Sequence, residues 1–114
     1  MRRKQRLRSR LRIQTVLRSG NRVTRPEFVL YHFAREASDR PRVALGVGRR
    51  IGGAVVRNRV RRLLREALRS LYPRLVACDI VVVARPGILE AGVGDLEEAL
   101  ADAAARAGLI IGGA

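Results

Sequence analysis

The sequence predicts a single α+β domain whose elements follow the order αβββαβα. Three features carry this prediction: an amphipathic helical pattern from about Gly53 to Tyr72, an unbroken apolar run at residues 79–84, and two β-forming runs ahead of the helix. With 114 residues the chain can bury one modest core. It contains no repeat or linker that would divide it, so we expect one layered sandwich.

The first elements are predicted to be a basic arm and a short helix. Residues 1–8 are mostly polar and basic, which favours a flexible arm, and the folded domain is expected to span residues 9–108. Ser9 can cap the helix and Gly20 can end it. The helix is supported by an approximate apolar stripe, which consists of Leu11, Ile13, Val16 and Leu17.

Three strands are predicted before the long helix. Residues 21–24 form a short strand or turn, residues 28–33 are rich in β-forming side chains, and residues 43–47 form a clear strand. The period of two in a strand places His32 on one face of the second strand. The opposite face carries Val29, Tyr31 and Phe33.

The last elements are predicted to be a strand buried on both faces, at residues 79–84, and a helix. Asp95 is expected to cap this helix, which runs to about Arg106. Residues 109–114 are expected to form a frayed tail.

The basic charge of the chain is concentrated in its first two thirds. The formal net charge is +14, from 24 Lys and Arg residues and 10 Asp and Glu residues. Residues 1–74 hold 22 of these bases and 4 of the acids, whereas residues 75–114 hold 2 bases and 6 acids. This partition suits a protein that presents one basic surface to a polyanion, so the sequence predicts nucleic-acid binding.

The predicted long helix has one apolar face and one arginine-rich face. At about 100° per residue, the apolar sector holds Val56, Val60, Leu63, Leu64, Ala67, Leu68 and Leu71. The opposite sector holds Arg57, Asn58, Arg61, Arg62, Arg65 and Arg69, with Arg59 at its border. Glu66 is the only acid between Arg57 and Arg69. Because neighbouring like charges destabilise an isolated helix, we interpret this face as a binding surface.

The connection before this helix adds two more candidate contacts. Arg49 and Arg50 lie in a glycine-bearing segment, residues 48–53, that leads into the helix. The free N–H groups at a helix N-terminus favour phosphate. The segment lacks the lysine and hydroxyl residue of a P-loop, so nucleotide hydrolysis is not predicted.

The sequence offers no catalytic or metal-binding constellation. Cys78 is the only cysteine and His32 the only histidine, so no zinc set is available, and a reducing cytoplasm is expected. The acids are scattered or clustered near the last helix, which disfavours a two-metal nuclease. No run of about 18 apolar residues indicates a membrane span. We expect neither a membrane partner nor a small-molecule substrate.

Four segments resemble one known family. The longest, residues 43–66 (VALGVGRRIGGAVVRNRVRRLLRE), closely resembles the signature of the bacterial ribonuclease P protein subunit, with the family's Arg-Asn-Arg motif at Arg57, Asn58 and Arg59. The other segments stand at the expected distances and are residues 18–22 (RSGNR), 28–31 (FVLY) and 79–86 (DIVVVARP). The resemblance covers about residues 6–106.

The resemblance implies a ribonucleoprotein that removes the 5′ leader from precursor tRNA. In that family the RNA subunit carries the catalytic site and the Mg²⁺ ions, and the protein binds this RNA through the Arg-Asn-Arg region. The implied partners are therefore the catalytic ribonuclease P RNA and precursor tRNA, with no cofactor bound by the protein's own side chains. The resemblance also implies a fold like that of ribosomal protein S5 domain 2, with a left-handed βαβ crossover where physics alone favours a right-handed one.

The same resemblance implies a leader-binding cleft between the first helix and the sheet. Tyr31 matches an aromatic position of the family's cleft, whereas two helix positions that are usually aromatic are Ile13 and Leu17. Val29 and Phe33 share the face of Tyr31 and complete the candidate cleft.

Two other classes of protein remain as alternatives. A structural RNA-binding protein of the ribosomal type would share the basic face but not the whole signature at residues 43–66. A stand-alone nuclease would need a carboxylate or histidine cluster that the sequence does not offer.

Overall fold

The computed structural model describes residues 2–36 and 39–112. Its helices and strands follow the predicted order and are α1 (Arg10–Ser19), β1 (Asn21–Thr24), β2 (Phe28–Ala34), β3 (Arg42–Gly46), α2 (Ala54–Leu71), β4 (Cys78–Ala84) and α3 (Val93–Arg106). Short 3₁₀ turns lie at Arg3–Gln5, Arg49–Ile51, Tyr72–Arg74 and Pro86–Glu90. The predicted fold class is confirmed.

The four strands form one sheet in the order β1-β2-β4-β3. Strand β2 pairs antiparallel with both β1 and β4, whereas β3 and β4 are parallel and are joined through α2. Strand β4 is thus central, and six of its seven residues are buried, which confirms the prediction of a strand covered on both faces.

The sheet carries an apolar cluster on each face. The larger cluster packs α2 and α3 against one face and includes Phe28, Leu30, Leu64, Ile80 and Leu100. The smaller cluster lies between α1 and the other face and is built on Leu7, Val16 and Val81. The two faces of β2 therefore serve different cores, as its alternation predicts.

Helix α1 begins and ends as the sequence indicates. The side chain of Ser9 accepts a hydrogen bond from the backbone N–H of Arg12 at 3.2 Å, so Ser9 is the N-cap. A Cβ atom at Gly20 would lie 2.4 Å from the carbonyl oxygen of Val16 and 2.5 Å from that of His32. Glycine is required at this position because the helix end and β2 approach each other closely.

The segment predicted to be a flexible basic arm, residues 1–8, is anchored to the domain at Leu7. The backbone N–H of Leu7 donates to the carbonyl of Val43 at 2.8 Å, and the Leu7 side chain is buried in the smaller cluster. Apolar burial at one position therefore ties the basic segment to the edge of β3. Met1 lies outside the described residues.

The C-terminal region differs in two places. Helix α3 begins at Val93, with Gly92 as the N-cap, and the carboxylate of Asp95 accepts from the Gly92 N–H at 2.9 Å. Asp95 therefore caps the helix from its first turn, not from the N-cap position. Leu109 is buried, and Ile110 pairs with Leu75, so the predicted tail begins as packed structure. Residues 113–114 lie outside the described part of the chain.

Candidate RNA interface

Helix α2 separates the core from the candidate RNA surface. Its buried residues are Val60, Leu64, Ala67, Leu68 and Leu71, all from the predicted apolar sector. The arginine-rich sector is turned away from the core. Asn58, Arg59, Arg62 and Arg69 are exposed, and Arg57, Arg61 and Arg65 are half-buried. The predicted division of this helix into two faces is confirmed.

The positive charge of α2 is largely uncompensated within the described chain. Arg69 forms an exposed ion pair with Glu66 at 3.2 Å. Arg61 donates to the amide oxygen of Asn58 at 3.1 Å, a contact that leaves the charge in place. Among the described residues, no carboxylate lies within ion-pair distance of the remaining arginines of this face. A bound polyanion would supply the missing counter-charge.

Two arginines of this face each have a buried hydrogen-bond donor without a partner among the described residues. The Nε atoms of Arg57 and Arg65 are buried and have no hydrogen-bond partner among the described residues. A guanidinium donor that is buried without a partner costs free energy.

The C-terminal half of α2 also borders a groove with the N-terminal segment. This groove has a volume of about 430 Å³ and is lined by Arg2, Gln5, Arg65, Leu68, Arg69, Tyr72 and Pro73. Docking of the N-terminal segment at β3 thus adds Arg2 to the arginines of α2. Sequence reasoning missed this juxtaposition, because the two segments are about sixty residues apart and meet only through the edge of β3.

The connection before α2 presents two further arginines. Arg49 and Arg50 are exposed in a 3₁₀ turn that is anchored by the buried side chain of Ile51. Gly52 has a φ of 155°, a conformation that only glycine adopts readily, and this turns the chain into the helix. Gly53 is the N-cap and has no side chain, so no cap side chain accepts a hydrogen bond from the first N–H groups of α2.

The candidate leader cleft is the part of the sheet face beside α1. Tyr31 stands in register with Arg22 on β1 and Val81 on β4, and the next row pairs Val29 with Val83. Ile13 and Phe33 pack into the smaller cluster together with Tyr31. Leu17, on α1, is 40% exposed. The structure therefore brings Ile13, Leu17, Val29, Tyr31 and Phe33 to one side of the sheet.

Phe33 and Tyr31 differ in what covers their rings. The guanidinium carbon of Arg12 lies 4.7 Å from the centroid of the Phe33 ring, in a cation–π contact. One face of Phe33 is thus occupied by the protein itself. Tyr31 is the aromatic side chain of this surface for which the structure gives no such contact.

An ion-pair cluster that sequence reasoning did not single out lies at the end of the sheet covered by α1. Asp79 is fully buried at the start of β4, and its carboxylate accepts from Arg12 Nε at 2.5 Å and from Arg42 Nε and Nη2 at 2.8 and 2.9 Å. Arg35 Nε lies 3.7 Å away. The available signal was an acid at the head of a strand predicted to be buried on both faces, because a buried carboxylate requires a cationic partner.

The cluster fixes the protonation state of Asp79. Burial alone would raise the pKa of this carboxyl group, but the hydrogen bonds from Arg42 and Arg12 outweigh burial and lower the pKa below its ordinary value.

Burial raises the pKa of the neighbouring Cys78 thiol to about 12, so the thiol is protonated at neutral pH. Burial lowers the pKa of His32, which favours the neutral imidazole.

Within residues 2–36 and 39–112, no three His, Cys, Asp or Glu side chains come together as a metal-binding group. None of the helices in this part of the chain combines the length and the apolar character that crossing a bilayer demands.

The amino-acid sequence of this chain is similar to those of known proteins. Residues 1–108 match the family model described as Ribonuclease P. The ribonuclease P protein component of Symbiobacterium thermophilum is 39% identical over 111 residues, which cover 96% of each protein. The corresponding protein of Brevibacillus brevis is 36% identical over 111 residues, covering 96% of this chain and 88% of that protein.

Solved structures agree with this match. The RNase P protein of Staphylococcus aureus superposes with a TM-score of 0.82 at 24% identity, covering 93% of this chain and 97% of that one. The RNase P protein of Thermotoga maritima gives a TM-score of 0.74 at 26% identity, covering 85% and 92%. The four-stranded sheet with its three helices is therefore a fold shared with these proteins.

Proposed function

This chain belongs to the ribonuclease P protein family, and from that membership we propose which functions of the holoenzyme belong to this chain and which belong to its RNA. It is the RNA-binding protein component of ribonuclease P, an endoribonuclease that processes the 5′ end of tRNA, and ribonuclease P RNA is its partner. The proposal has two parts. The RNA subunit, with its Mg²⁺ ions, carries out the cleavage, and this chain binds the catalytic RNA through α2 and the precursor leader through the cleft beside α1.

The uncompensated arginine face of α2 is the observation that carries the RNA-binding assignment. Arg57, Arg61 and Arg65 recur every four residues along one stripe, so a single phosphate backbone can meet all three. A ribosomal-type structural role is not favoured, because residues 1–108 match the ribonuclease P family.

The assignment of cleavage to the RNA is supported by the engagement of the protein's own titratable groups. Asp79 is held by Arg12 and Arg42, and Asp102 is paired with Arg25 and Arg106 at 2.8 and 3.0 Å. The Cys78 thiol is buried and protonated, so it is a poor nucleophile. The two carboxylates are held by structural partners and the thiol is buried, and we assign the hydrolytic step and its metal ions to the RNA. The buried, unpaired Cys78 also agrees with the reducing cytoplasm that we propose as the site of action.

A cleavage assay tests whether the RNA, and not the protein, carries out the cleavage. We expect the purified protein alone to leave precursor tRNA intact, because the described residues contain no metal-binding group of His, Cys, Asp or Glu side chains. Addition of the protein to its cognate catalytic RNA should lower the Mg²⁺ concentration needed for half-maximal cleavage, because added arginines reduce the phosphate repulsion that Mg²⁺ otherwise screens. The two measurements are cleavage without RNA and a Mg²⁺ titration with RNA. Cleavage that persists in protein freed of RNA would contradict the proposal.

Leader binding by the cleft makes a separate prediction for Tyr31. Tyr31→Ala should weaken binding of leader-bearing precursor while leaving mature tRNA nearly unchanged, because the leader is the part of the substrate that meets this face. A base stacked on an aromatic ring contributes about 1–3 kcal/mol, and we expect the lower end because the ring has no aromatic partner on α1. Affinities of the reconstituted holoenzyme for the two RNAs measure the effect.

Tyr31→Phe is the matched control, because it keeps the ring and removes the hydroxyl group. It should retain the preference for the precursor. Equal weakening of both RNAs by Tyr31→Ala would assign this residue to the core of the smaller cluster instead of to the leader.

A further inference from the structure

Helix α1 forms one wall of the candidate leader cleft, yet few apolar contacts hold it in place. Val16 is its one fully buried residue among ten, and Ile13 is half-buried. Leu11 is 78% exposed on the outer side. A helix of this length gains its stability from packing more than from propensity, so the position of α1 depends on what else fastens it to the sheet.

Arg12 supplies that fastening through three different contacts. Its Nε donates to Asp79 Oδ2 at 2.5 Å, its Nη2 donates to the carbonyl of Ala34 at 3.2 Å, and its guanidinium lies over Phe33. All three partners belong to the two middle strands of the sheet, β2 and β4. Arg12 therefore joins the N-terminal half of α1 to the two central strands of the sheet.

Asp79 is itself held in a fixed orientation. Arg42, on the neighbouring strand β3, binds both of its carboxylate oxygens, at 2.8 and 2.9 Å. This two-point contact fixes the plane of the carboxylate and leaves Oδ2 facing Arg12. The carboxylate is fully buried, so no solvent competes for these bonds.

The cluster and the cleft lie on the same face of the sheet, in neighbouring rows. Phe33, Asp79 and Arg42 form one row of that face, and Tyr31, Val81 and Ala44 form the next. Helix α1 covers these rows through Ile13 and Val16, and the row of Val29 and Val83 lies beyond it. A shift of α1 relative to the first row would change the width of the cleft at Tyr31.

We propose that Asp79 is a positioning residue for the leader cleft: it holds Arg12, and through Arg12 it fixes α1 as a wall beside Tyr31. This inference rests on the proposed binding of the leader in that cleft. Asp79 itself does not touch the RNA. Its contribution is to keep α1 in the position that binds the leader, so the apparent affinity depends on the fraction of molecules in which α1 is seated.

Asp79→Asn distinguishes a positioning role from a purely electrostatic effect, because the two predict opposite changes in the affinity for leader-bearing precursor. The substitution keeps the shape of the side chain but raises the net charge by one, so electrostatics alone would tighten binding of any RNA. Positioning predicts weaker binding of leader-bearing precursor. If α1 is seated in only a tenth to a third of molecules, that affinity falls about three- to tenfold.

The experiment is a double-mutant cycle in the reconstituted holoenzyme, with Asp79→Asn, Arg12→Gln and the double variant. Affinities for leader-bearing precursor and for mature tRNA are measured for each. We expect both single variants to weaken precursor binding selectively and the double variant to be no worse than either, because both substitutions break one link. Hydrogen exchange of the α1 amides should accelerate while exchange in α2 is unchanged.

Two controls keep the outcome decisive. Leu100→Val removes a methylene group from the larger cluster on the other sheet face, so it lowers stability without touching α1 and should leave the precursor preference intact. Should Asp79→Asn not fold, Arg12→Gln tests the same link, since Arg42 still neutralises Asp79. Tyr31→Ala in the same assay reports on leader binding itself.

The results separate the two proposals. Selective loss with Tyr31→Ala but none with Arg12→Gln or Asp79→Asn overturns the positioning role and leaves leader binding standing. Absence of any leader effect with Tyr31→Ala overturns both. Equal weakening of precursor and mature tRNA by Asp79→Asn, or additive losses in the cycle, would show a general structural role instead.

Discussion

Replacement of Arg57, Arg61 and Arg65 with glutamine should flatten the salt dependence of binding to the catalytic RNA by about 2–3 units of log affinity against log salt. Each phosphate contact contributes roughly 0.7–0.9 to this slope, and the three side chains form one stripe along α2. At about 0.15 M salt the affinity should fall roughly a hundredfold. Glutamine is preferable to alanine because these side chains are half-buried and their aliphatic parts pack against the domain.

A second triple variant controls for the loss of charge as such. Arg74, Arg85 and Arg106 are exposed and lie outside α2, so their replacement with glutamine removes the same charge from other surfaces. We expect a much smaller change of slope. Binding is measured across a salt series, with circular dichroism to verify folding. Equal flattening by the two variants, or an unchanged slope in the folded α2 variant, would move the RNA interface away from this helix.

Leu64→Ala, unlike the arginine variants, should strongly lower the free energy of unfolding and leave the RNA-binding surface intact. Leu64 is fully buried at the centre of the larger cluster, beneath the arginine face. Truncation of a buried leucine costs about 2–5 kcal/mol of the free energy of unfolding. Urea denaturation followed by circular dichroism measures the loss. The folded fraction should bind the catalytic RNA with unchanged affinity, because no arginine is altered.

Val55→Ala is the matched control on the same helix. Val55 is 80% exposed, so its truncation should change the free energy of unfolding by no more than about 0.5 kcal/mol. A cost below about 1 kcal/mol for Leu64→Ala would mean that the core repacks around the cavity more completely than such sites usually do.

Elements with strong periodicity were predictable from sequence almost to the residue. Helix α2 spans Ala54–Leu71, against a prediction of about 53–72, because its apolar sector and its arginine sector are both unbroken. Strand β4 was predictable because only a central strand tolerates a continuous apolar run. In both elements local pattern and tertiary environment impose the same requirement.

Segments without periodicity were decided by the tertiary structure. Leu7 is a single apolar residue in a basic stretch, and nothing near it in sequence indicates that β3 offers a free edge and α1 a pocket. Leu109 likewise packs beyond the end of α3 because the core has room for it there. One buried side chain is enough to order a short segment but leaves no pattern in the sequence.

The sequence by itself determined where the charge lies, which face of α2 carries it, and to which family the chain is similar, since these depend on composition, spacing and motif. Only the tertiary structure decided which charges remain free for RNA. Asp79 binds Arg12 and Arg42, which are 67 and 37 residues away in the chain, and thereby sets one buried negative charge against two of the arginines. Such pairs depend on strand order and register, which are set by the packing of the whole sheet and not by any local stretch of residues.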